Sequence, residues 1–540
     1  MSDNVILDII KDYDVIRNLQ RQVKPVKPTA EQQAVALSVS SVALNNPEQI
    51  ALTPYGKNMF TYFDKRDRLL PGQKASKAEQ YITKETEKLL LKYCGPERLD
   101  YDVTLSPFDK RHYSVDCWRN FKRNEAIRHA VPGMNHVREG EFRKFARPIK
   151  DHDLVYPLKH DGYLQTAVQW IMRQLPEVKT DSSKFYDVNL PFMTKHTNVG
   201  YPYYRNDQAT ASAGRTYGQL VMEQAKELKP RDVIGYPFIA FGRNIRGKAR
   251  PIFGGSRLQA LVFNQLEHPE IEAYKHSCLF VGYNSDVELR QAMQRLAVWF
   301  KQHDQYTCFN RDYKTFDLTV FPSLRRLVAA MSRVKAADAL GKEIALCRGA
   351  SQLSAYLSDG LSMETFIVFC RILSGEIDTN RSGGLANAIM DIWAMLQQDP
   401  DWIRIADSIV HADTSPLMVM GDDNLMVQKR TVNNEDFSKF IANFGMTVSH
   451  DKGEYGLFFL QHRYFEDGTH NGVYIVPFTR LIRSLFNKEM KKGLGPCGWT
   501  IATYMILAEL LEWPELLVDV AKIFAPFDEL SLGAFMSLNA

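Results

Sequence analysis

Leu417-Met418-Val419-Met420-Gly421-Asp422-Asp423-Asn424-Leu425-Met426-Val427 is the stretch on which the reading of this chain turns. Two apolar runs flank a Gly-Asp-Asp-Asn centre. Glycine and Asx residues suit a tight turn, so the stretch predicts a β-hairpin with its acidic pair at the tip. Taken alone, these residues read equally well as an ordinary hairpin with a polar end.

A second acidic element lies upstream, Tyr306-Thr307-Cys308-Phe309-Asn310-Arg311-Asp312-Tyr313-Lys314-Thr315-Phe316-Asp317. A short strand is expected to end at Asp312, and Asp317 follows after four intervening residues. Both acids could be turn carboxylates that cap the following helix. Asp317 suits that role, but Asp312 lies too early to cap a helix starting near Pro322. Chemistry gives a reason for two acid sites to converge. Phosphoryl transfer builds negative charge on the attacking and leaving oxygens, and two magnesium ions about 3.5–4 Å apart can stabilise both. Magnesium prefers carboxylate oxygen, with substrate phosphates completing its shell. A His/Cys set would suit zinc, and none stands at these places.

Outward from this centre, short apolar strands alternate with amphipathic helices, a mixed α+β pattern. A helix is expected from Phe321 to Ala337, with Pro322 in its first turn and Leu324, Leu327, Val328, Met331 and Val334 on one face. Another is expected from Asn434 to Phe444, stopped by Gly445. A third is expected to begin near Gly384. The region up to about residue 150 reads as helical, polar and basic, with a run of cations between Arg119 and Lys150 that suits a solvated face or a nucleic-acid surface equally. Gly498 to Phe535 reads as a small helical packing subdomain.

The 540 residues suffice for a large core, and 45% hydrophobic with 24% charged residues is ordinary for a globular protein. The net charge of +4 gives no bulk signal for nucleic acid, so any phosphate-binding surface must come from local clustering. Seven scattered cysteines without a C-x-x-C pair argue against a disulfide framework or zinc site and suit a reducing compartment. No signal peptide or membrane-spanning stretch is evident.

The Asp312 and Gly421-Asp422-Asp423 elements resemble motifs A and C in the palm of viral RNA-dependent RNA polymerases. The other motifs follow in the family's order. Phe241-Gly242-Arg243-Asn244-Ile245-Arg246-Gly247-Lys248-Ala249-Arg250-Pro251-Ile252 resembles motif F, with Arg257 following it. Ser374-Gly375 with Thr379 matches the start of motif B. The family's ribose-sensing Asn falls at Gly383 here, which leaves Asn387 or Asn380 for that part. Phe444 to Lys452 resembles motif D, and Phe459-Leu460-Gln461-His462-Arg463 resembles motif E. Thr197-Asn198-Val199-Gly200-Tyr201-Pro202 is faintly similar to motif G. The resemblance runs from Phe241 to about Tyr464 and looks most like polymerases of small double-stranded RNA viruses, of picobirnavirus or partitivirus type.

That resemblance implies a right hand with closed fingertips, whose palm is an antiparallel sheet backed by helices. Its expected parts are an N-terminal extension bridging fingers and thumb (1–150), fingers (151–300), palm (301–465) and thumb (466–540). It implies magnesium on Asp312, Asp422 and Asp423, with manganese as the alternative ion, and Lys452 as general acid. Asp317, Ser374, Gly375, Thr379 and Asn387 would surround the ribose, and Arg243, Lys248 and Arg250 the triphosphate. Arg246, Arg257 and Arg463 would contact RNA. Implied partners are template and product RNA, ribonucleoside triphosphates and a viral capsid protein, with no membrane and a monomeric chain working in the virion interior and host cytoplasm. Two other readings compete: a reverse transcriptase-like palm polymerase, which would typically carry an aromatic residue where Asp317 stands, and a non-catalytic RNA-binding protein of the capsid interior.

Overall fold

The computed structural model describes residues 4–32, 149–183, 198–212, 214–245, 248–351, 354–358, 365–369, 371–373, 377–449, 453–460, 462–466 and 471–475, plus a few isolated positions. Most of the basic run before Lys150, and nearly all of the helical subdomain expected from Gly498, lie outside the described residues. The chain divides into two compact units: residues 1–43, 137–242 and 251–455, and residues 44–136, 243–250 and 456–540. No described helix is long and apolar enough to cross a membrane.

In chain order the main elements begin with α1 (Asn4–Gln22), α2 (Val155–His160), α3 (Gly162–Gln174), β1 (Thr210–Ser212), β2 (Arg215–Thr216) and α4 (Tyr217–Ala225). Then come β3 (Phe238–Ile245), β4 (Lys248–Gly254), α5 (Arg257–Tyr274), α6 (Asp286–Lys301), β5 (Tyr306–Asn310), α7 (Phe316–Thr319), α8 (Pro322–Lys335) and α9 (Ala339–Ser351). They continue with β6 (Ser354–Ser358), β7 (Thr365–Phe369), α10 (Thr379–Gln398), α11 (Trp402–His411), β8 (Leu417–Met420), β9 (Asp423–Lys429), α12 (Asn434–Ala442) and β10 (Glu454–Tyr455). The second unit contributes β11 (Phe458–Phe459), β12 (His462–Glu466) and β13 (Asn471–Ile475), an antiparallel three-stranded sheet.

The expected hairpin is present. Strand β8 pairs with β9 from Leu417↔Met426 to Met420↔Asp423, which leaves Gly421 and Asp422 as a two-residue turn. Gly421 takes φ +62°, a conformation that side chains disfavour, as such a turn requires. Strand β5 lies antiparallel against β9, from Tyr306↔Lys429 to Phe309↔Met426, and β10 closes the far edge through Glu454↔Asn310. The sheet order is β10-β5-β9-β8. Strand β5 ends at Asn310 rather than Asp312, because the Arg311 N–H leaves the ladder for the Asn424 side chain at 3.0 Å. In a separate sheet of order β4-β3-β6-β7, β3 runs parallel to β6.

Helix α10 packs against β8 and β9 and is buried almost throughout. It begins at Thr379, a turn earlier than the glycines Gly383 and Gly384 suggest. Glycine weakens a helix by about 1 kcal/mol relative to alanine. Here Gly383 serves close approach: a Cβ on it would meet the Gly421 Cα at 3.3 Å and the Phe316 ring at 3.4 Å. Helix α8 carries its expected stripe into the core, with Pro322 in the first turn, and α12 is capped by Asn433. Helix α1 packs on α8 and α9 through Ile6, Ile9, Tyr13 and Ile16. Arg326 of α8 reaches Gln20 at 2.8 Å, and Arg333 pairs with Asp12.

The start of α10 is anchored by buried charge. Glu267 and Glu270 of α5 meet Arg348 of α9 together with Asp378 and Arg381 at the α10 start, and every side chain is at most 3% exposed. Arg381 binds Glu267 from two nitrogens, at 3.0–3.1 Å. Three carboxylates share two guanidiniums. Burial pushes the Glu267 carboxyl above its usual range against the pull of Arg381 and Arg348. At Glu270 the two arginines outweigh burial and hold the carboxyl below it. Removing one arginine from such a set leaves uncompensated buried charge, which costs about 3–5 kcal/mol. Arg348→Met should therefore lose about that much stability, whereas Glu267→Gln, which evens the count, should lose far less. Guanidinium denaturation of the two variants checks this, and equal losses would contradict the assignment.

Candidate active site

Each acidic element is held from behind by backbone. After β5 the chain is clamped by residues 447–449: Lys314 N–H donates to the Thr447 carbonyl at 2.8 Å, and Ser449 N–H donates to the Asp312 carbonyl at 2.7 Å. Asp312 is half-buried, while Asp422 and Asp423 at the hairpin end are exposed. Asp317 lies half-buried in the first turn of α7, and its carbonyl accepts from Ile372 N–H at 3.1 Å. Thr379 donates to the Leu373 carbonyl at 2.8 Å. Asp317 and Thr379 are thereby tied to adjacent residues of one backbone segment. Buried Arg371 reinforces this corner by donating to the Leu318 carbonyl.

A buried amide network joins the two acidic elements. Asn424 accepts the Arg311 N–H on its side-chain oxygen, and its own carbonyl accepts from the Asn310 amide at 2.6 Å. Its amide donates to the Asn387 Oδ1 at 3.1 Å. The Asn387 amide donates in turn to the Gly421 carbonyl at 3.1 Å. Asn387 is fully buried, so its amide is engaged with the hairpin turn. Asn380 is exposed, and its side-chain oxygen lies 3.5 Å from where a Cβ on Gly421 would stand.

Arg311 is buried beneath this network. It donates to Gln428 at 2.6 Å and Asn434 at 3.1 Å, and its guanidinium carbon lies 3.6 Å from the Phe437 ring centroid. On its other side, the Tyr313 hydroxyl donates to Asp391 of α10. Asn310, Arg311, Tyr313, Asp391 and Asn424 are not among the residues the sequence singles out. Polar residues at four-residue spacing on one helix, Asn387 and Asp391, are the signal for Asp391, and no local pattern marks the others.

Other expected residues are placed separately. Arg243 lies in β3, and Lys248 and Arg250 lie in β4. Arg246, Ser374, Gly375 and Lys452 lie outside the described residues. Arg257 opens α5 and pairs with Asp207 at 3.1 Å. Arg463 is buried in β12, its guanidinium carbon 5.1 Å from the Phe458 ring centroid.

Among the described residues, no group of three or more His, Cys, Asp or Glu side chains converges as a metal cage. The site offers carboxylates at a strand end and at the neighbouring turn. That set fits an ion such as magnesium, which takes one or two carboxylates and fills its shell with substrate phosphates and water.

No protein-family model and no curated protein matches the sequence. Solved structures do. An insertion-loop deletion mutant of the RNA-dependent RNA polymerase of a human picobirnavirus superposes with a TM-score of 0.58. That alignment covers 95% of this chain and 94% of that one at 13% identity. The RNA-dependent RNA polymerase of a human picobirnavirus aligns over 88% of this chain and 90% of its own at TM-score 0.57 and 13% identity. The fold is thus that of viral RNA-dependent RNA polymerases, and in particular the fold seen in the picobirnavirus enzymes.

Burial pushes the Asp391 carboxyl up to about 6, against the opposing effects of Arg311 and the Tyr313 hydrogen bond. Its ordinary value is 3.8, so the folded state holds the proton more tightly than the unfolded state. That contribution is fully present below about pH 4 and is lost as pH rises through about 6. Relative to Asp391→Asn, the wild-type chain should lose about 2–3 kcal/mol of stability between pH 4 and pH 7.5. Urea denaturation across that range measures it, and a flat difference would rule out the raised carboxyl.

Proposed function

We propose that this chain is an RNA-directed RNA polymerase that joins ribonucleoside triphosphates on an RNA template, in the replication and transcription of a double-stranded RNA virus genome. One observation carries the reading. The strand leading to Asp312 and the turn bearing Asp422 are locked side by side, within a fold shared with viral RNA polymerases. In this reading the β10-β5-β9-β8 sheet is the palm of a right hand with closed fingertips.

Asp312 and Asp422 would hold magnesium or manganese, with Asp423 beside them. Bound there, the ions supply charge neutralisation at the attacking and leaving oxygens. The residues of the chain do the rest. Asp317 and Thr379 would face the ribose, where a 2′-hydroxyl both donates and accepts. Because the Asn387 amide is engaged at the turn, Asn380 becomes the better ribose contact. Arg243, Lys248 and Arg250 would hold the triphosphate through charge-assisted hydrogen bonds. Arg246, Arg257 and Arg463 are assigned to RNA by their motif positions, with Arg257 and Arg463 also serving the fold. Lys452 would give a proton to the pyrophosphate leaving group. We further propose that the chain works as a monomer inside a capsid and meets the capsid protein there.

Purified protein, a defined RNA template, the four ribonucleotides and magnesium should yield a complementary RNA. Asp422→Ala should lower the rate at least about 10³-fold, and deoxyribonucleotides should be used poorly. Equal use of deoxyribonucleotides would favour a reverse transcriptase-like enzyme. Absence of product from wild type would leave the non-catalytic RNA-binding reading.

A further inference from the structure

Side chains four residues apart share a helix face. On α10 the face carrying Gly383, Asn387 and Asp391 runs beside both acidic elements, and each of the three meets a different part of them. Gly383 approaches the Gly421 Cα, close enough that a Cβ would stand 3.3 Å from it. Asn387 binds the Gly421 carbonyl and the Asn424 amide, both at 3.1 Å. Asp391 accepts the Tyr313 hydroxyl.

These contacts bracket the two aspartates. Asp312 lies between Arg311, whose N–H is held by Asn424, and Tyr313, whose hydroxyl is held by Asp391. Asp422 follows Gly421, whose carbonyl is held by Asn387, and stands two residues before Asn424. The residues around each carboxylate are thus fixed to one rigid helix. A buried polar side chain is costly unless bonded, so a buried amide and a buried carboxyl on one helix face call for such a use.

We propose that the Gly383–Asn387–Asp391 face of α10 is a gauge that sets the separation between the Asp312 and Asp422 carboxylates, and thereby their affinity for a divalent cation pair. Asn387 and Asp391 are positioning residues, and neither touches substrate. The inference rests on the polymerase reading for its purpose but not for its measurement. Outer partners that orient metal ligands typically change metal affinity or activity by about 10–100-fold when lost.

The test is Mn²⁺ binding to the full chain without nucleotide or RNA, followed by electron paramagnetic resonance. Asn387→Leu and Asp391→Leu should each weaken Mn²⁺ binding by about tenfold or more. Tyr313→Phe should weaken it as Asp391→Leu does, and combining the two should add little, because one bond is lost in both. Asp391→Asn keeps an oxygen for the Tyr313 hydroxyl and should restore binding. In polymerase assays Asn387→Leu should lower kcat with the ribo-to-deoxyribonucleotide preference unchanged. If Asn387→Leu fails to fold, Tyr313→Phe carries the same test. Unchanged Mn²⁺ affinity in folded Asn387→Leu or Tyr313→Phe overturns the proposal, and so does an Asn387→Leu effect confined to the ribose preference. Should wild type make no RNA, the polymerase reading fails while the Mn²⁺ comparison still decides the gauge.

Discussion

Successive side chains of a strand point to opposite faces, so a one-residue slip between β5 and β9 would carry the whole of β5 over to the wrong side. The pairing of Phe309 with Met426 therefore governs where Asp312 emerges relative to the Gly421–Asp422 turn. Backbone pairing weakens at the end of a strand, and that is where side-chain amides take over. Asn424 receives the Arg311 N–H through its side chain and the Asn310 amide through its carbonyl. A slipped register would strand both donors in the interior. Asn424 is itself counted from the turn, since Met420 pairs with Asp423 and only two residues lie between them. One register thus fixes two carboxylates, one just past the end of β5 and one in the turn between β8 and β9.

Helix α10 extends that constraint into a third element, and it does so with buried charged and polar groups. Buried ion pairs seldom stabilise more than well-packed hydrophobic side chains do, but breaking one partner is costly. The five charged groups at the α10 start follow this logic. Arg381 approaches Glu267 from two nitrogens at once, because a planar guanidinium meets a carboxylate as a fork. What such a cluster adds over a leucine contact is direction. It fixes the rotation of the helix about its axis, and with it the face presented by Gly383, Asn387 and Asp391.

The hairpin was legible because its chemistry is local: glycine at the turn, acids beside it, apolar runs on both sides. Helices α8 and α12 were legible from their stripes and caps for the same reason. The start of α10 was not. Local propensity disfavours a helix through Gly383 and Gly384, and the compensating forces come from Glu267 and Arg348, far away in sequence. The two acidic elements could be picked out from order and chemistry, but which asparagine packs against the turn could not. Asn387 and Asn380 have the same chemistry and lie on one helix, and only the packing shows that the first is buried against the turn while the second is exposed. The Tyr313–Asp391 bond is not legible locally, because a tyrosine beside an aspartate reads as part of the strand end until the partner helix is in place.

Charge shows the same division between local and distant causes. The near balance of 67 basic and 63 acidic residues gives no hint of a polyanionic partner. Several of those basic residues are largely withdrawn from solvent. Arg311, Arg325, Arg326, Arg348, Arg371, Arg381 and Arg463 are all buried, and those with described contacts turn to carbonyls, carboxylates, amides or aromatic rings. Arginine suits this use because its fork keeps its charge and aims several donors at once. Its structural share must be set aside before the remaining cations are read as a phosphate surface. A bulk charge of +4 therefore says little about recognition in either direction.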